Sequence, residues 1–416
     1  MTNVDSGGGQ FDGELMLPMP ERPPVGTSQV RGANSRHSVG SPGPARVRPE
    51  ENVVTTLEQQ APPADAELNA AVEAQMGKIL TELGSALGVL LTALGSRSGL
   101  WAALAGAGPL TVDQVAARVR VDPALVREWL RAQAAGGYLD YHPATDRFTL
   151  PEPVAVALLQ APGGALVDAC LSMFASMGAG FAEFERAFRA GQGYGWDRRD
   201  ATYWQGTDGL TRAMLPPAVL ADAVERLPGI ADRLLAGGRV ADVGCGYGAP
   251  TIMLAQAFPS AQVTGFDYHD ASVAAARKAA AEAGVGPRVG FEVAAAAELP
   301  GGGYDLITFV DSLHDLGDPV GALTRARGAL APGGAVLLVE PPGADGVTGN
   351  LTPVGRMFYA VSTLVCTPNA LSQGSSALGT LAGPARLTET ARAAGFGTVR
   401  PVETDAPMNL LLELRD

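Results

Sequence analysis

The strongest constraint on how this chain can fold lies in residues 239–251, which read R-V-A-D-V-G-C-G-Y-G-A-P-T. The apolar run Val240–Val243 predicts a strand, and Gly244, Gly246 and Gly248 at alternate positions predict a turn with positive φ before a helix. Glycines also leave bare backbone against which a ligand can lie. The spacing is G-x-G-x-G, with Asp242 two residues before the first glycine, whereas the dinucleotide fingerprint is G-x-G-x-x-G. A nucleotide-like cofactor is the ligand this turn would take.

A second acid agrees. Gln262–Phe266 predicts another strand, and it runs into Asp267, nineteen residues beyond Gly248, with Tyr268 beside it. A carboxylate at the tip of the second strand can accept both hydroxyls of a ribose. Further strands are predicted at 288–293, 304–310 and 335–340, with helices at 250–258, 270–283 (Asp270 as cap) and 318–330 between them. Such alternation implies a parallel sheet with helical crossovers. The fourth strand ends in D-S-L-H-D, so Asp311, Ser312 and His314 should face the ligand crevice at the strand ends. The imidazole of His314 is suited to taking a proton from a hydroxyl, and Asp315 is expected to orient it.

Composition narrows the partners. The 416 residues leave room for two domains, and 46% hydrophobic residues guarantee a core. A formal charge of −13 provides no basic field for nucleic acid or an anionic membrane. Three scattered cysteines, Cys170, Cys245 and Cys366, point to a reducing compartment, no metal-ligand spacing is evident, and no uncharged apolar run reaches the roughly 18 residues of a membrane helix. The expectation is a soluble, cytoplasmic protein without a membrane partner.

Residues 1–64, rich in Gly, Pro and Ser, are expected to form a disordered tail. An apolar stripe from Leu68 to Leu94 predicts a long helix that needs a partner surface. From Leu110, Thr111 and Asp122-Pro123 can cap two helices, Gly136-Gly137 ends the second, and Tyr138–Leu150 reads as a hairpin turning at 143–146. The unit is a winged helix-turn-helix. Its arginines, Arg118, Arg120, Arg127 and Arg131, are interspersed with acids, which disfavours DNA reading. Residues 151–236 read as helical, with the stripe Met173, Met177, Phe181, Phe184 and Phe188 expected in the core and the glycine-rich 191–197 as a mobile connection near the site mouth.

The acid-x-G-x-G-x-G turn and the ribose acid resemble the class I S-adenosylmethionine-dependent methyltransferases, and the winged helix resembles the dimerisation domain of small-molecule O-methyltransferases. The segments L-H-D-L-G-D-P, G-F-D-Y-H-D and the insertion from Glu340 to Pro368 are similar to a group of actinobacterial winged-helix methyltransferases. The resemblance implies a Rossmann-like seven-stranded α/β sheet at 226–416 behind an N-terminal all-helical winged-helix domain at 65–225. It implies S-adenosyl-L-methionine as cofactor, held by Asp242, Gly244, Gly246, Gly248, Asp267, Tyr268, Ala295 and Asp311. Ala295 stands where the family carries an adenine-binding acid, leaving that contact to backbone groups or Glu298. His314 and Asp315 match the family's catalytic H-D, with Leu316 in place of Trp, and the insertion would be a substrate lid. A homodimer methylating a small molecule, most readily at oxygen, follows. Two alternatives stay open: a cofactor-retaining enzyme catalysing cyclisation or decarboxylation, and a transcription regulator with a vestigial methyltransferase domain.

Overall fold

The computed structural model describes residues 63–160, 163–405 and 408–416, so the expected tail at 1–64 lies almost wholly outside the described residues. Residues 67–416 form one compact unit. The helices before the sheet are α1 (Pro63–Arg97), α2 (Leu100–Leu104), α3 (Val112–Val119), α4 (Pro123–Ala135), α5 (Glu152–Leu159), α6 (Gly163–Arg189), α7 (Ala201–Met214), α8 (Pro217–Glu225) and α9 (Ile230–Leu235).

The winged helix forms as its caps dictate. Thr111 and Gln114 make a reciprocal capping box on α3, and Asp122 accepts from the Ala124 N–H to start α4 at Pro123. The wing is the hairpin β1 (Asp140–His142) with β2 (Arg147–Thr149), so this region is not all-helical. Trp101 and Trp129 meet edge to face at 4.6 Å in its core, and their ring N–H groups donate to the carbonyls of Thr92 and Leu91, stapling α1 to the domain. Two of the four arginines are already engaged: Arg118 donates to the Ala103 carbonyl, and Arg131 pairs with Glu128 at 3.1 Å.

The sheet comprises β3 (Arg239–Val243), β4 (Gln262–Asp267), β5 (Val289–Val293), β6 (Tyr304–Val310), β7 (Leu330–Glu340), β8 (Thr398–Pro401) and β9 (Leu410–Arg415). Their spatial order is β5-β4-β3-β6-β7-β9-β8, with β3 to β7 parallel and β9 antiparallel to both of its neighbours. Helices α10 (Ala249–Ala257), α11 (Asp270–Glu282), α12 (Pro319–Ala329) and α15 (Gly383–Ala393) cover it, and α13 (Pro353–Val361) and α14 (Thr367–Gln373) belong to the insertion. The residue capping α11 is His269, not Asp270. Apolar cores fill both faces, and Leu215, Leu220 and Val224 from the preceding helical region join one of them. That shared burial is why the expected boundary at 225 and 226 falls inside a single packed unit.

Two expectations fail here for identifiable reasons. The stripe on α6 is core only at its start, where Met173 is buried, since Phe181 and Phe188 are 53% and 61% exposed. The apolar face of α1 is likewise open, from Leu68 to Leu94. Both α1 and α6 are long and apolar enough to cross a membrane by length and composition alone, because short uncharged stretches are separated by single charges such as Glu82 and Glu183. The glycine-rich 191–197 is a packed crossing rather than a loose connection. Tyr194 is buried and its N–H donates to the Pro368 carbonyl, while a Cβ on Gly193 would lie 2.2 Å from the Ser372 nitrogen. Because the obstructing atom is backbone, Gly193→Ala should lower stability by about 1–3 kcal/mol. A denaturant midpoint equal to that of the wild type would contradict this packing.

Candidate active site

The chain passes from β3 to β4 to β5 on one side of the sheet and then to β6 and β7 on the other. This places the switch point between β3 and β6, where the carboxyl ends of parallel strands leave a crevice. A cleft of about 1440 Å³, its open mouth included, lies there.

The glycine turn forms one wall. Gly244, Gly246 and Gly248 have φ values of 74°, 52° and 83°, and they serve two different needs. A Cβ on Gly244 would meet Ser312 Cβ at 2.6 Å, and one on Gly248 would meet the Phe291 ring at 2.9 Å, so both permit packing. Gly246 has nothing within 4 Å of its Cβ position and lines the cleft. It is the glycine that leaves backbone open to a ligand.

Asp267 fixes this turn. One carboxylate oxygen accepts from the Gly246 N–H and the other from the His269 N–H, both at 2.9 Å, and the residue lines the cleft with lone pairs to spare. Burial raises its pKa, although the two backbone donors oppose the shift. Asp242 stands elsewhere. Its carboxylate accepts from Thr251 Oγ1 at 2.6 Å and Thr308 Oγ1 at 2.8 Å, it is 1% exposed, and it does not line the cleft. Burial pushes its pKa up to about 6. Asp242 therefore tethers β3 to β6 and α10, which corrects its expected place as a ligand contact. Gly248, Ala295 and Glu298 are also absent from the cleft wall, whereas Tyr268 is on it, its hydroxyl donating to Asn369 at 3.0 Å.

The turn after β6 carries the reactive groups. Glu340, the last residue of β7, accepts from the Leu313 N–H at 3.0 Å through one oxygen and contacts His314 Nδ1 at 2.5 Å through the other. Asp315 is 3.5 Å from Nε2. The carboxylate that orients the ring is thus Glu340, not Asp315, because a ring whose Nδ1–H is donated to Glu340 presents only Nε2 for further chemistry. Burial draws the His314 pKa down, but Glu340 and Asp315 outweigh it and hold the pKa well above the usual 6.5. Asp315 is itself raised by burial against the opposing pull of His314, and its Oδ1 has no hydrogen-bond partner. His314, Asp315 and Cys366 offer donor atoms within 4.8 Å of one another, a set that a soft divalent cation could use.

The opposite wall draws on the segment 191–197 and the insertion, which the sequence placed near the site, and on α6 and α7, which it did not. Met173 and Phe174 (α6), Trp196 in the turn before α7, Tyr203 and Trp204 (α7), and Met357 and Phe358 (α13) all line the cleft. Trp204 packs edge to face on His269 at 4.5 Å. Asn369, 1% exposed, accepts from Tyr268 and the Trp196 N–H and donates to the Asp315 carbonyl, binding the insertion, the helical wall and the His314 turn together. For Glu340 a signal existed, namely an acid closing an otherwise apolar strand. No local signal marks Asn369.

Residues 241–336 match the profile described as a methyltransferase domain, and residues 85–160 match the Rv2258c-like winged HTH domain. The chain is 33% identical over 177 residues to 27-O-demethylrifamycin SV methyltransferase of Amycolatopsis mediterranei, covering 41% of this chain and 60% of the relative. It is 43% identical over 121 residues to acetylserotonin O-methyltransferase of Mus musculus, covering 27% of this chain and 31% of the relative. The match therefore spans less than two thirds of either relative's length. Among solved structures, PigF with SAH superposes with a TM-score of 0.60 at 18% identity, covering 82% of this chain and 99% of that one. The fold is that of the class I methyltransferases with an N-terminal winged helix.

Asp311 lines the cleft with φ of 53°, a conformation that Asn adopts more readily than most residues, and burial pushes its pKa up to about 6. An acid whose folded pKa exceeds the unfolded value binds more protons when folded, so stability falls as pH rises from about 4 to 6. Asp311→Asn should then raise Tm by roughly 1–3 °C at neutral pH, with the gain vanishing below pH ~4. Calorimetric scans at the two pH values test this, and a lower Tm at neutral pH would refute it.

Proposed function

We propose that this chain, carrying a methyltransferase domain behind a winged helix, transfers the methyl group of S-adenosylmethionine to a hydroxyl of a small molecule. The observation that carries the reading is the Glu340–His314 pair, buried at the cleft beside a glycine turn with open backbone at Gly246. The residues present fit the cofactor: Gly246 leaves space for it, Asp267 and Tyr268 would hold its ribose, and the Asp311 carboxylate on the cleft wall would favour its positive charge. When bound, S-adenosylmethionine supplies a methyl group activated on a sulfonium.

The protein's own part is alignment and proton removal. Nε2 of His314, with Nδ1 tied to Glu340, accepts the hydroxyl proton, and the Glu340 carboxylate stabilises the imidazolium so formed. Trp196, Trp204 and Phe358 exclude water from the acceptor side. A base must be neutral to act, so a pKa held above 6.5 places the acid limb of the rate profile above that pH. We expect His314→Ala to lower turnover by about 10²–10⁴-fold with little change in cofactor affinity. Glu340→Gln should cost roughly tenfold or more and move the acid limb to lower pH. The measurements are calorimetric binding of S-adenosylhomocysteine and a pH–rate profile. Full turnover in His314→Ala, or an unmoved limb in Glu340→Gln, would remove the base assignment.

The protein acts as a cytoplasmic homodimer in this reading. Support comes from three unpaired thiols and from the open apolar face of α1, where Leu80 and Leu87 are each 64% exposed. Such a face exceeds what monomers usually leave to water. The double substitution Leu80→Glu with Leu87→Glu should convert dimer to monomer by light scattering. A wild-type protein that is monomeric at micromolar concentration would overturn the assembly.

A further inference from the structure

The charge of the cleft wall carries an inference about the acceptor, resting on the methyl-transfer reading of the same site. Four acids, Asp208, Asp267, Asp311 and Asp315, line the cleft. Among the described residues, no lysine or arginine does. Two cations lie just outside the wall: Arg212 pairs with Asp208 at 2.8 Å, and Arg199 stacks on the Tyr203 ring at 4.6 Å, donates to the Leu364 carbonyl at 2.7 Å and lines a separate pocket. The remaining wall is apolar and aromatic, including Met173, Phe174, Trp196, Trp204, Met357 and Phe358.

We infer that the acceptor is a flat, apolar hydroxy compound bearing no acidic group, and that the cleft admits neutral or amine-bearing acceptors and refuses carboxylates and phosphates. An anion entering this cleft loses its hydration, finds no lysine or arginine on the wall, meets in His314 a ring already paired with Glu340, and faces carboxylates at close range. The cofactor does not reverse the balance. Its ammonium and sulfonium against one carboxylate give one net positive charge, set against Asp267, Asp311 and Asp315, while Arg212 balances Asp208 and Glu340 balances His314. Asp267 would be occupied at the ribose, which leaves Asp208, Asp311 and Asp315 toward the rest of the cleft. An amine on the acceptor would meet these acids favourably, and Trp196 and Trp204 offer faces for a planar ring. Tyr203, on the same wall, keeps its hydroxyl buried without a partner, an unused donor for a neutral oxygen or nitrogen of the acceptor.

Three matched probes test the charge rule: naphthol, hydroxynaphthoate and aminomethylnaphthol, bound to the full-length protein at neutral pH and followed by equilibrium dialysis. The protein is used both saturated with S-adenosylhomocysteine and without it. Naphthol and aminomethylnaphthol should bind, and hydroxynaphthoate should bind roughly 100-fold more weakly or worse. Asp208→Asn and Asp311→Asn together should narrow that gap at least threefold. Tyr203→Phe should weaken naphthol without changing the ratio between probes. Hydroxynaphthoate binding as well as naphthol, a gap that the double variant leaves unchanged, or no binding of any probe would each overturn the inference. Loss of S-adenosylhomocysteine binding in calorimetry would instead sink the methyl-transfer reading, and the dialysis without cofactor would still report the charge preference.

Discussion

The arrangement of the site depends on the carboxylate of Asp242, buried where the sheet changes direction. It holds Thr308 of β6 across the switch point and Thr251 of α10 behind the glycine turn, with both hydroxyls donating to it. A buried acid with two donors and no counter-ion is costly, and its pKa of about 6 records that cost. What the expense secures is register. The strand that delivers the open glycine backbone is fixed relative to the strand that delivers the His314 turn, and Ser312 closes the join by donating to the Val243 carbonyl at 2.8 Å.

A second carboxylate, Glu340, repeats the device one strand further on. It grips the backbone of Leu313 and the ring of His314 together, so β7 sets the orientation of a residue displayed by β6. Glycine turn, catalytic turn and orienting acid thus come from three adjacent parallel strands. A side chain held by two neighbours has little freedom to drift, which is the geometry a proton transfer requires.

This division explains what was legible in the sequence. The periodic strands, the glycine spacing, Asp267, the caps of α3 and α4 and the hairpin at Asp146 are local patterns with local physical causes, and each appears where those patterns put it. Asp242 was seen as an important acid but its partners were not, since Thr251 and Thr308 lie nine and sixty-six residues away. Glu340 and Asn369 escaped for the same reason: their significance is created by strand adjacency and by the folding back of the insertion. The aromatic stripe on α6 was misread because helical periodicity shows that a face is apolar without showing what covers it.

That same helix links an open apolar surface to the cleft wall. Met173 and Phe174 of α6 form part of the cleft wall, whereas Phe181 and Phe188, two to four turns further along, remain open to solvent. A glycine on α7, Gly206, lets α7 lie directly against α6, since a Cβ there would fall 2.7 Å from Met173. With so close a contact, neither helix can shift without displacing Tyr203, which lines the cleft, and Trp204, which packs on His269. A surface that covers the exposed phenylalanines would therefore steady the acceptor wall through a continuous packed path. If the site works by alignment, burial far from the cleft becomes a contribution to the site itself.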